Sequence, residues 1–519
     1  MTVFHHTIVG GDFERAGHAT DALKDLLKTV GVDPESTRRA AIAAYEAELN
    51  VIIHARRGIL RATIGDDRLD IEIEDEGPGV ADVALALQPG FSTASQQARS
   101  LGFGAGLGLP NIKRNSDTFS LESTVGVGCR LRFGLSFSCV EPLPPAPNAL
   151  RFVSERCRLC LRCLPVCPTQ ALRVRGTGPS LLAHRCVDCN ACIAHCIHGA
   201  IQIDNDSPCP DAGSLDVLVL PLAFLTDFGP NVSYRLIREI ILQLGFSRLA
   251  LLEQWEAAQQ NVIDELLAQN NHPLPIIDVA CPVVTRLIET RFPSLLPHLA
   301  PLLSPLEAAA AQLQGQKAAF VVACPAQQTS LRQAGVPSQR ILTPRALRQA
   351  IDQRLRAKRP TDQDSDCPPI RAAVERNELM ASGLASTLRV LETIEGERLE
   401  FTQRVMLRAC VDGCFGSPLF RTPSALALHR SRRMTINDDA TYCVARRQSP
   451  YQPRPALRLD SDMQASVKKL HRMAEVLRSL PQADCGRCGA PSCRSHAEDY
   501  ALGRIRSLQC KHPSARSQS

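Results

Sequence analysis

The alternation of hydrophobic and polar positions predicts an α/β arrangement in the first 138 residues. Residues 37–57 carry apolar side chains at helical spacing, and two runs of alternating polarity, 59–64 and 69–74, follow them. Glycine-rich segments then precede a predicted helix at 110–116, and a predicted strand at 128–133 closes the segment. We therefore expect an α/β domain whose glycines lie in loops between strands and helices.

A similar pattern returns in the middle of the chain. Residues 217–220 predict a buried strand, 234–244 an amphipathic helix and 249–252 another strand, which precedes a helix containing Trp255. Trp255 is the only tryptophan, and we expect it in a hydrophobic core. Near the end of the chain, residues 462–480 predict a further helix.

Proline-rich and polar segments separate these parts. The segment 140–150 contains four prolines and predicts a semi-rigid spacer. Shorter breaks are expected at 208–213 and 449–458, and an insertion loop with Cys367 at 355–370. The predicted domains are 1–138, 151–207, 213–445 and 460–514, with a linker at 139–150.

Composition narrows the class of protein. Hydrophobic residues make up 44% and charged residues 22% of 519 residues, as in ordinary globular proteins of several domains. The net charge of +6, without a basic block, gives no case for nucleic acid. The N-terminus lacks a signal-peptide pattern and no apolar run reaches about 18 residues, so we expect a cytoplasmic protein with no membrane span. Twenty-one cysteines, clustered at metal-ligand spacing, predict metal sites in a reducing compartment.

The most specific cysteine pattern is C-x-x-C-x-x-C-x-x-x-C, which occurs twice together with similar flanking residues. The two copies are Cys157, Cys160, Cys163, Cys167 and Cys186, Cys189, Cys192, Cys196. Thiolates at this spacing can surround an iron-sulfur cube, whereas zinc sites, the alternative, rarely add a third cysteine at equal spacing. Residues 150–205 resemble the bacterial 8-Fe ferredoxin family. The resemblance implies one 4Fe-4S cluster on Cys157, Cys160, Cys163 and Cys196, and another on Cys186, Cys189, Cys192 and Cys167.

The N-terminal domain combines a polar helix face with two glycine motifs. Glu46, Asn50 and His54 follow one another at one-turn spacing, D-x-G-x-G begins at Asp75, and G-x-G-x-G-L begins at Gly104. A glycine-rich loop alone is as often a flexible turn. The order of all three motifs resembles the GHKL ATPases, and among them the small anti-sigma-factor serine kinases, with E-A-x-x-N-x-x-x-H at residues 46–54.

This resemblance implies a site for ATP and Mg²⁺. An asparagine amide oxygen such as that of Asn50 can bind Mg²⁺, and Glu46 would act as general base. Asp75 would accept the adenine amino group, and glycine backbones would approach phosphate. The implied cofactor-binding residues are Asn50, Asp75, Gly77, Gly79, Gly104, Gly106 and Gly108. Alternatively, Glu46 and His54 are solvated helix residues, and binding of ATP does not require its hydrolysis or transfer of its phosphoryl group to a protein.

Three further cysteine elements each follow an apolar run: Cys281-Pro, Cys324-Pro, and Cys410 with Cys414. Four thiols from three strand ends can converge at one edge of an open sheet, although buried free thiols are the simpler alternative. The flanking residues resemble the C-terminal domain of the iron-only (FeFe) hydrogenase large subunit. The resemblance implies a 4Fe-4S cluster on all four thiols, with Cys414 placed to bridge a two-iron subcluster.

This segment departs from the hydrogenase family at three positions. Ala280 stands where active hydrogenases have a proton-relaying cysteine, Gln327 replaces a lysine, and Arg408 replaces a methionine. Alanine carries no proton and glutamine no positive charge. We therefore expect weak or absent hydrogenase activity and consider the two-iron subcluster doubtful.

A last cysteine group lies near the C-terminus. Cys485, Cys488, Cys493 and Cys510 resemble the small 4Fe-4S domain of the B subunit of Rnf-type electron-transport complexes, and a zinc ribbon is the alternative. Five cysteines are left as structural or free thiols, namely Cys129, Cys139, Cys209, Cys367 and Cys443.

The combined resemblances imply a multidomain α/β and α+β protein: a GHKL α/β sandwich, a ferredoxin-like two-cluster domain, an FeFe hydrogenase-like α/β domain and a small C-terminal 4Fe-4S domain. Three functions remain open. The first is a redox- or hydrogen-responsive regulator that couples the clusters to an anti-sigma-like kinase module. The others are an electron-transfer oxidoreductase with low hydrogenase activity and an ATP-gated electron relay. Expected partners are a redox carrier such as ferredoxin, a sigma factor or anti-sigma antagonist-like protein, and a second copy in a homodimer.

Overall fold

The computed structural model divides the chain into two compact units. The first unit contains residues 1–143, 455–483 and 492–519, and the second contains 144–454 and 484–491. The residues that the structure describes are 2–94, 104, 106–139, 148–176, 178–204, 215–228, 232–357, 378–396, 399, 402–431, 441–454 and 459–512. Among them, no helix is long and apolar enough to cross a membrane.

An antiparallel sheet forms the N-terminal part of the first unit, with strand order β1-β2-β3-β5-β4. Its strands are β1 Thr2–Val9, β2 Arg57–Ile64, β3 Arg68–Asp75, β4 Thr118–Thr124 and β5 Gly128–Ser136. The helices are α1 His18–Val30, α2 Pro34–His54, α3 Val83–Ala86 and α4 Gly108–Arg114. Alternate residues of β2 and β3 are buried, which confirms the predicted strands and the α/β fold.

A buried carboxylate fixes the start of α1 against α2. Glu48 is 1% exposed, and its carboxylate accepts hydrogen bonds of 2.7–3.1 Å from the backbone of Gly17, Ala19 and Thr20 and from the Thr20 hydroxyl. These donors lie at the N-terminus of a helix, where a negative charge is favourable. Glu48 therefore has a structural role that its neighbour Glu46 does not share.

We expect Glu48→Ala to lower the free energy of unfolding of the first unit by about 3 kcal/mol, because buried donors would lose a charged acceptor. Hydrogen-deuterium exchange of the full-length protein would then show faster exchange of the α1 amides. Glu35→Ala, at an exposed position in the first turn of α2, is the matched control. Unchanged α1 protection in the Glu48 variant would contradict this role.

The second unit begins with two small antiparallel strand pairs that frame the cysteine repeat. The strands are β6 Leu150–Phe152, β7 Leu172–Arg175, β8 Gly178–Leu181 and β9 Ile201–Ile203, with β6 paired to β9 and β7 to β8. One short helix, α5 Ala191–His195, lies between β8 and β9. A small core that includes Leu164, Leu172 and Ile201 holds the pairs together.

Two parallel sheets form the rest of the second unit, with orders β11-β10-β13-β14 and β12-β16-β15. Their strands are β10 Val217–Leu220, β11 Arg248–Leu251, β12 Ile276–Ile277, β13 Ala318–Val321, β14 Ile341–Leu342, β15 Glu378–Ser382 and β16 Arg404–Arg408. The helices are α6 Leu222–Leu225, α7 Tyr234–Gln243, α8 Leu252–Gln269, α9 Pro282–Arg291, α10 Pro305–Gln312, α11 Pro325–Gln333, α12 Pro344–Ala357, α13 Leu384–Glu395 and α14 Ser424–Ser431. Trp255 is 1% exposed and donates a 2.8 Å hydrogen bond to Gln312, as expected of a core residue.

The last two helices return the chain to the first unit. They are α15 Met463–Ser479 and α16 Cys493–Ala501. Met463, Leu470 and Met473 of α15 share a hydrophobic core with Leu23 and Leu27 of α1. The C-terminal helices therefore form part of the same core as the N-terminal sheet and helices.

Candidate functional site

The polar face of α2 meets the start of α4 in the first unit. A Cβ added to Gly108 would lie 3.3 Å from both Glu46 Oε2 and Asn50 Oδ1, so the backbone at Gly108 lies close to both side chains. Asn111 Nδ2 donates a 2.7 Å hydrogen bond to Glu46 Oε1. Sequence reasoning missed Asn111, although its place in the first turn after the glycine motif was a usable signal. Within the described residues the Asn50 amide makes no hydrogen bond, so its oxygen is available to a cation.

Asp75 is the last residue of β3. Its Oδ1 accepts hydrogen bonds from the backbone N–H groups of Gly77 at 2.9 Å and Cys129 at 3.3 Å. Burial raises the pKa of Asp75, although the two hydrogen bonds oppose that rise. Its Oδ2 accepts no hydrogen bond within the described part of the chain, which leaves one oxygen for a ligand amino group. Burial also lowers the pKa of His54 at the end of α2.

Two of the predicted glycines, Gly79 and Gly106, lie where a side chain would collide with backbone. Gly79 has φ +71°, and its added Cβ would lie 2.4 Å from the carbonyl oxygen of Thr124. Gly106 has φ +74°, and its Cβ would lie 2.5 Å from the backbone of Gly90. Gly104 is also in the left-handed region, whereas residues 95–103 and 105 lie outside the described residues. The described glycines thus permit the backbone segments to approach one another closely at these positions.

The two cysteine loops of the repeat have the same backbone conformation. Leu159 and Leu161 in the first loop have φ of 51° and 63°, and the matching Asp188 and Asn190 in the second have 53° and 58°. The backbone N–H four residues after the last cysteine donates to that cysteine in both copies, at 3.2 Å. The repeat seen in the sequence is therefore also a repeat of structure.

The thiols of the repeat lie near one another, and their division between two clusters stays a prediction. Burial raises the pKa of Cys163 to about 11, and the neighbouring thiols of Cys196, Cys160 and Cys157 add to the rise. Burial likewise raises the pKa of Cys189 to about 12, with Cys167 as the nearest contributor. The second loop also includes Cys186 and Cys192, whose pKa values rise through burial and through the thiols of Cys189 and Cys167.

The donor chemistry suits iron-sulfur clusters. The described cysteines are free thiols, and backbone N–H groups donate to the sulfurs of Cys167, Cys186 and Cys196. Such N–H···S bonds stabilise sulfur ligands of a cluster. In addition, Asn190 of the second loop is 4% exposed, and its side-chain amide lies beside the Cys410 thiol, where it opposes the rise in the pKa of Cys410 that burial causes. Among the described residues, no three His, Cys, Asp or Glu side chains are arranged to hold a single metal ion.

Four more thiols converge in the second unit. Burial raises the pKa of Cys324, and the neighbouring thiols of Cys410 and Cys281 add to the rise. Burial also raises the pKa of Cys414, with Cys324 and Cys281 among the contributors. The expectation that all four thiols lie at the edge of a single sheet was wrong. Cys324 follows β13 of one sheet, whereas Cys281 follows β12 and Cys410 and Cys414 follow β16 of the other sheet.

Two helix N-termini and a tight turn shape this four-thiol site. Cys281 and Cys324 are the N-cap residues of α9 and α11, where the partial positive charge of a helix favours thiolate. In the turn that carries Cys410 and Cys414, a Cβ added to Gly416 would lie 2.1 Å from the carbonyl oxygen of Val411. The turn therefore requires glycine at position 416.

One departure from the hydrogenase pattern, Arg408, belongs to a charged network near Cys281. Arg408 Nη1 donates to both carboxylate oxygens of the buried Asp278, at 2.8 and 3.1 Å. Burial opposes the charge of Arg408, but Asp278 and Glu256 outweigh it and raise the pKa of Arg408. Burial and the nearby Glu256 raise the pKa of Glu253 to about 8. The positively charged guanidinium of Arg408 therefore lies next to the Cys281 thiol.

Gln327 contacts the same site through both ends of its amide. Its Oε1 accepts a 2.6 Å hydrogen bond from the backbone N–H of Ala323, and its Nε2 lies 3.8 Å from Cys414 Sγ as a donor. The amide is therefore held with its donor aimed at the sulfur. It supplies a hydrogen bond where a lysine would supply a charge.

The second cysteine loop is anchored beside the four-thiol site. Asp188 and Arg286 form a 2.6 Å ion pair with side chains 0% and 5% exposed, and Thr329 donates to the same carboxylate at 2.7 Å. Cys189 also contributes to the raised pKa of Cys410, after burial and the nearer thiols. Two of the predicted cluster sites in the second unit are therefore neighbours.

The C-terminal cysteines are divided between the two units. Cys485 and Cys488 belong to the second unit, where Val174 donates a 2.9 Å backbone hydrogen bond to Gly489 and Arg175 Nε donates to the carbonyl of Cys488 at 3.3 Å. Cys493 and Cys510 belong to the first unit and pack against its hydrophobic core. Ligation of one cluster by all four stays a prediction.

Five cysteines were not assigned to a cluster, and those among them that the structure describes form no further group of thiols. Cys129 lies in β5 with its Sγ 3.4 Å from the Ser123 hydroxyl, Cys139 is half-buried, and Cys443 is exposed. Cys209 and Cys367 lie outside the described residues, as do the linker at 140–147, the break at 208–213 and most of the insertion loop at 355–370.

Three protein families match separate parts of the chain. The histidine kinase-like ATPase domain matches residues 11–134, the C-terminal domain of the iron only hydrogenase large subunit matches 223–354, and an Fe-S cluster family matches 480–512. These matches confirm the expected multidomain architecture and support iron-sulfur cofactors.

Curated relatives cover the kinase-like part. The serine/threonine-protein kinase RsbT of Bacillus subtilis is 32% identical over 113 residues, which are 21% of this chain and 79% of that protein. The anti-sigma F factor of Caldanaerobacter subterraneus is 40% identical over 129 residues, which are 25% of this chain and 80% of that protein.

Among solved structures, a variant of the FeFe hydrogenase from Chlamydomonas reinhardtii aligns with 47% of this chain and 89% of its own, at 15% identity and a TM-score of 0.34. Through the relatives of its N-terminal domain, this chain belongs to the histidine kinase-like ATPase family of RsbT and the anti-sigma F factors, here joined to an iron-only-hydrogenase-like domain and an Fe-S domain.

Proposed function

We propose that this protein is a redox-responsive regulator, in which iron-sulfur clusters control an ATP-dependent kinase module that binds or phosphorylates a regulatory protein. The supporting observation is that α15 and α16, which lead to and carry Cys493, share one hydrophobic core with the ATPase fold. A change at the C-terminal cluster would act directly on that core.

The path from cysteine to nucleotide site is short within the first unit. Arg494, next to Cys493, contacts the α1 side chains Asp25 at 3.4 Å and Thr29 at 3.2 Å. Helix α1 is in turn fixed to α2 by the buried Glu48, and α2 carries Glu46 and Asn50. Spatial continuity supports coupling, and coupling itself requires two states with different affinities.

ATP and Mg²⁺ have suitable residues in this chain. Asn50 would hold Mg²⁺ through its amide oxygen, Asp75 would accept the adenine amino group through Oδ2, and the backbone at Gly106 and Gly108 would approach the phosphates. Glu46, oriented by Asn111, would take the proton of an attacking hydroxyl. When bound, Mg²⁺ supplies charge neutralisation for phosphoryl transfer.

The thiols of the second unit would supply the redox signal through 4Fe-4S clusters on the two repeat groups and on Cys281, Cys324, Cys410 and Cys414. Ala280, Gln327 and Arg408 are consistent with a site that stores or senses electrons and turns hydrogen over slowly or not at all. A sigma factor or an anti-sigma antagonist-like protein is the proposed target, because the relatives are named a serine/threonine-protein kinase and an anti-sigma F factor. The test is the affinity for Mg-ATP and for such a partner in the oxidised and reduced protein.

A second function, electron transfer by an oxidoreductase of the hydrogenase type, is favoured by the adjacency of Cys189 and Cys410. Infrared spectroscopy of anaerobic protein coexpressed with hydrogenase maturation enzymes separates the two. Carbonyl and cyanide bands with viologen-linked hydrogen evolution would support the oxidoreductase, and their absence beside intact 4Fe-4S signals would support the regulator.

A further inference from the structure

The two cysteine loops of the repeat share a backbone but differ in their surroundings. Between the cysteines of the second loop, Val187, Asp188 and Asn190 are 1%, 0% and 4% exposed. In the first loop, Arg158 matches Val187 and is exposed, and Leu159 matches Asp188 and is 48% exposed. The second loop therefore faces the interior of its unit, and the first faces solvent.

The first loop is strongly basic. Residues 150–170 contain four arginines and one acidic residue, Glu155. Arg156, Arg158 and Arg162 are exposed, and none of them forms an ion pair with another described residue. Arg487 is also exposed, in the C-terminal loop whose Gly486 lies against Leu164 of the repeat. We call Arg156, Arg158, Leu159, Arg162 and Arg487 the first-loop face.

An exposed leucine at the centre of this face is unusual. Leu159 has φ +51°, a left-handed conformation that costs a leucine about 1 kcal/mol and suits asparagine or aspartate better. The second loop has Asp188 and Asn190 at the matching positions. The adjacent Cys160, a predicted cluster ligand, is also exposed. The face thus combines unpaired positive charge, an apolar contact and a thiol that leads to a cluster site.

We propose that the first-loop face docks an acidic one-electron carrier protein of the iron-sulfur class. The inference rests on the proposed cluster-bearing function and specifies where electrons enter. The reduced carrier gives up one electron and is thereby oxidised. The cluster that Cys157, Cys160, Cys163 and Cys196 would hold accepts that electron and is reduced, and no atom or proton is transferred. Leu159 is buried by the carrier, and the arginines attract its negative surface.

Reduction by a plant-type ferredoxin, an acidic 2Fe-2S protein, tests this surface. In anaerobic stopped-flow experiments with the full-length, cluster-loaded protein, we expect the second-order rate constant to fall steeply as salt rises. The double variant Arg158→Glu and Arg162→Glu should lower the rate constant at low salt, and the affinity for oxidised ferredoxin, by about tenfold or more. Reduction by dithionite should stay the same.

The matched control reverses two exposed arginines elsewhere in the second unit, Arg235→Glu and Arg238→Glu on α7, and should leave ferredoxin kinetics unchanged. Arg156 lies before the first cysteine, and Arg156→Glu should lower the rate constant for reduction by ferredoxin several-fold. This variant replaces the double variant in the test if the double variant loses iron. A salt-independent wild-type rate, equal rates in wild type and variants, or binding of a DNA duplex in place of ferredoxin would each overturn the proposal. Normal ferredoxin kinetics with redox-independent ATP affinity would instead refute only the regulatory function.

Discussion

Glu46→Ala should lower ATP turnover by about 10²–10⁴-fold, the usual contribution of a general base. The full-length protein would form ADP more slowly, with or without an anti-sigma antagonist-like partner, while its affinity for Mg-ATP would change by about threefold or less. The reason is that Asn50, Asp75 and the glycines would hold the nucleotide, whereas Glu46 would act on the attacking hydroxyl. Rates of ADP formation and equilibrium ATP binding, measured anaerobically, separate these roles.

Glu35→Ala is the control for this result, because Glu35 lies on the same helix but is exposed in its first turn. Its turnover and ATP affinity should match the wild type. If Glu46→Ala kept full turnover, Glu46 would be a solvated helix residue. If the variant lost ATP binding altogether, Glu46 would serve the fold or the nucleotide and not the transfer step.

Cys324→Ala should remove one whole cluster, about four irons per chain. Cys324 is 8% exposed between β13 and α11, and the thiols of Cys410, Cys281 and Cys414 lie near it. A cubane needs four ligands, and removal of one thiolate at a buried position destabilises the whole cluster. Iron and sulfide content, with electron paramagnetic resonance of the reduced protein, measures the loss.

The matched control is Cys443→Ala, since Cys443 is exposed and belongs to no thiol group. It should keep the full iron content. Unchanged iron in Cys324→Ala would show that the four thiols are ordinary buried cysteines. Zinc in place of iron at the C-terminal cysteines would instead support the zinc alternative for that group.

Much of the fold follows from local pattern. Strand β10 has the predicted limits, α7 ends one residue earlier than predicted, and α15 is one residue shorter than predicted at each end. Strand β4 was not predicted because it is an edge strand, with half-buried and exposed residues in alternation and no fully buried position. Strand β12 has only two residues, so the sequence could not show that it joins β16 in a second sheet.

The candidate sites could likewise be predicted only in part from the sequence. Cysteine spacing indicated the two repeat loops because ligands within one loop are close in sequence, whereas the group of Cys281, Cys324, Cys410 and Cys414 was expected only from the resemblance to the hydrogenase family. Asn111 beside Glu46 and Arg286 beside Asp188 were missed, since these contacts join residues 65 and 98 positions apart. Such pairs arise from tertiary packing, which periodicity does not encode. The exposed first loop and buried second loop likewise differ through what packs on them, although their cysteine spacing is identical.

The central claim is that cluster state changes the nucleotide site, and Mg-ATP affinity at controlled potential tests it most directly. We expect the full-length protein to bind Mg-ATP at least about fivefold more tightly in one redox state than in the other, a coupling of about 1 kcal/mol. Cys493→Ser should abolish the difference while leaving ATP binding intact. Equal affinity of the oxidised and reduced wild-type protein, with all clusters present, would contradict the account.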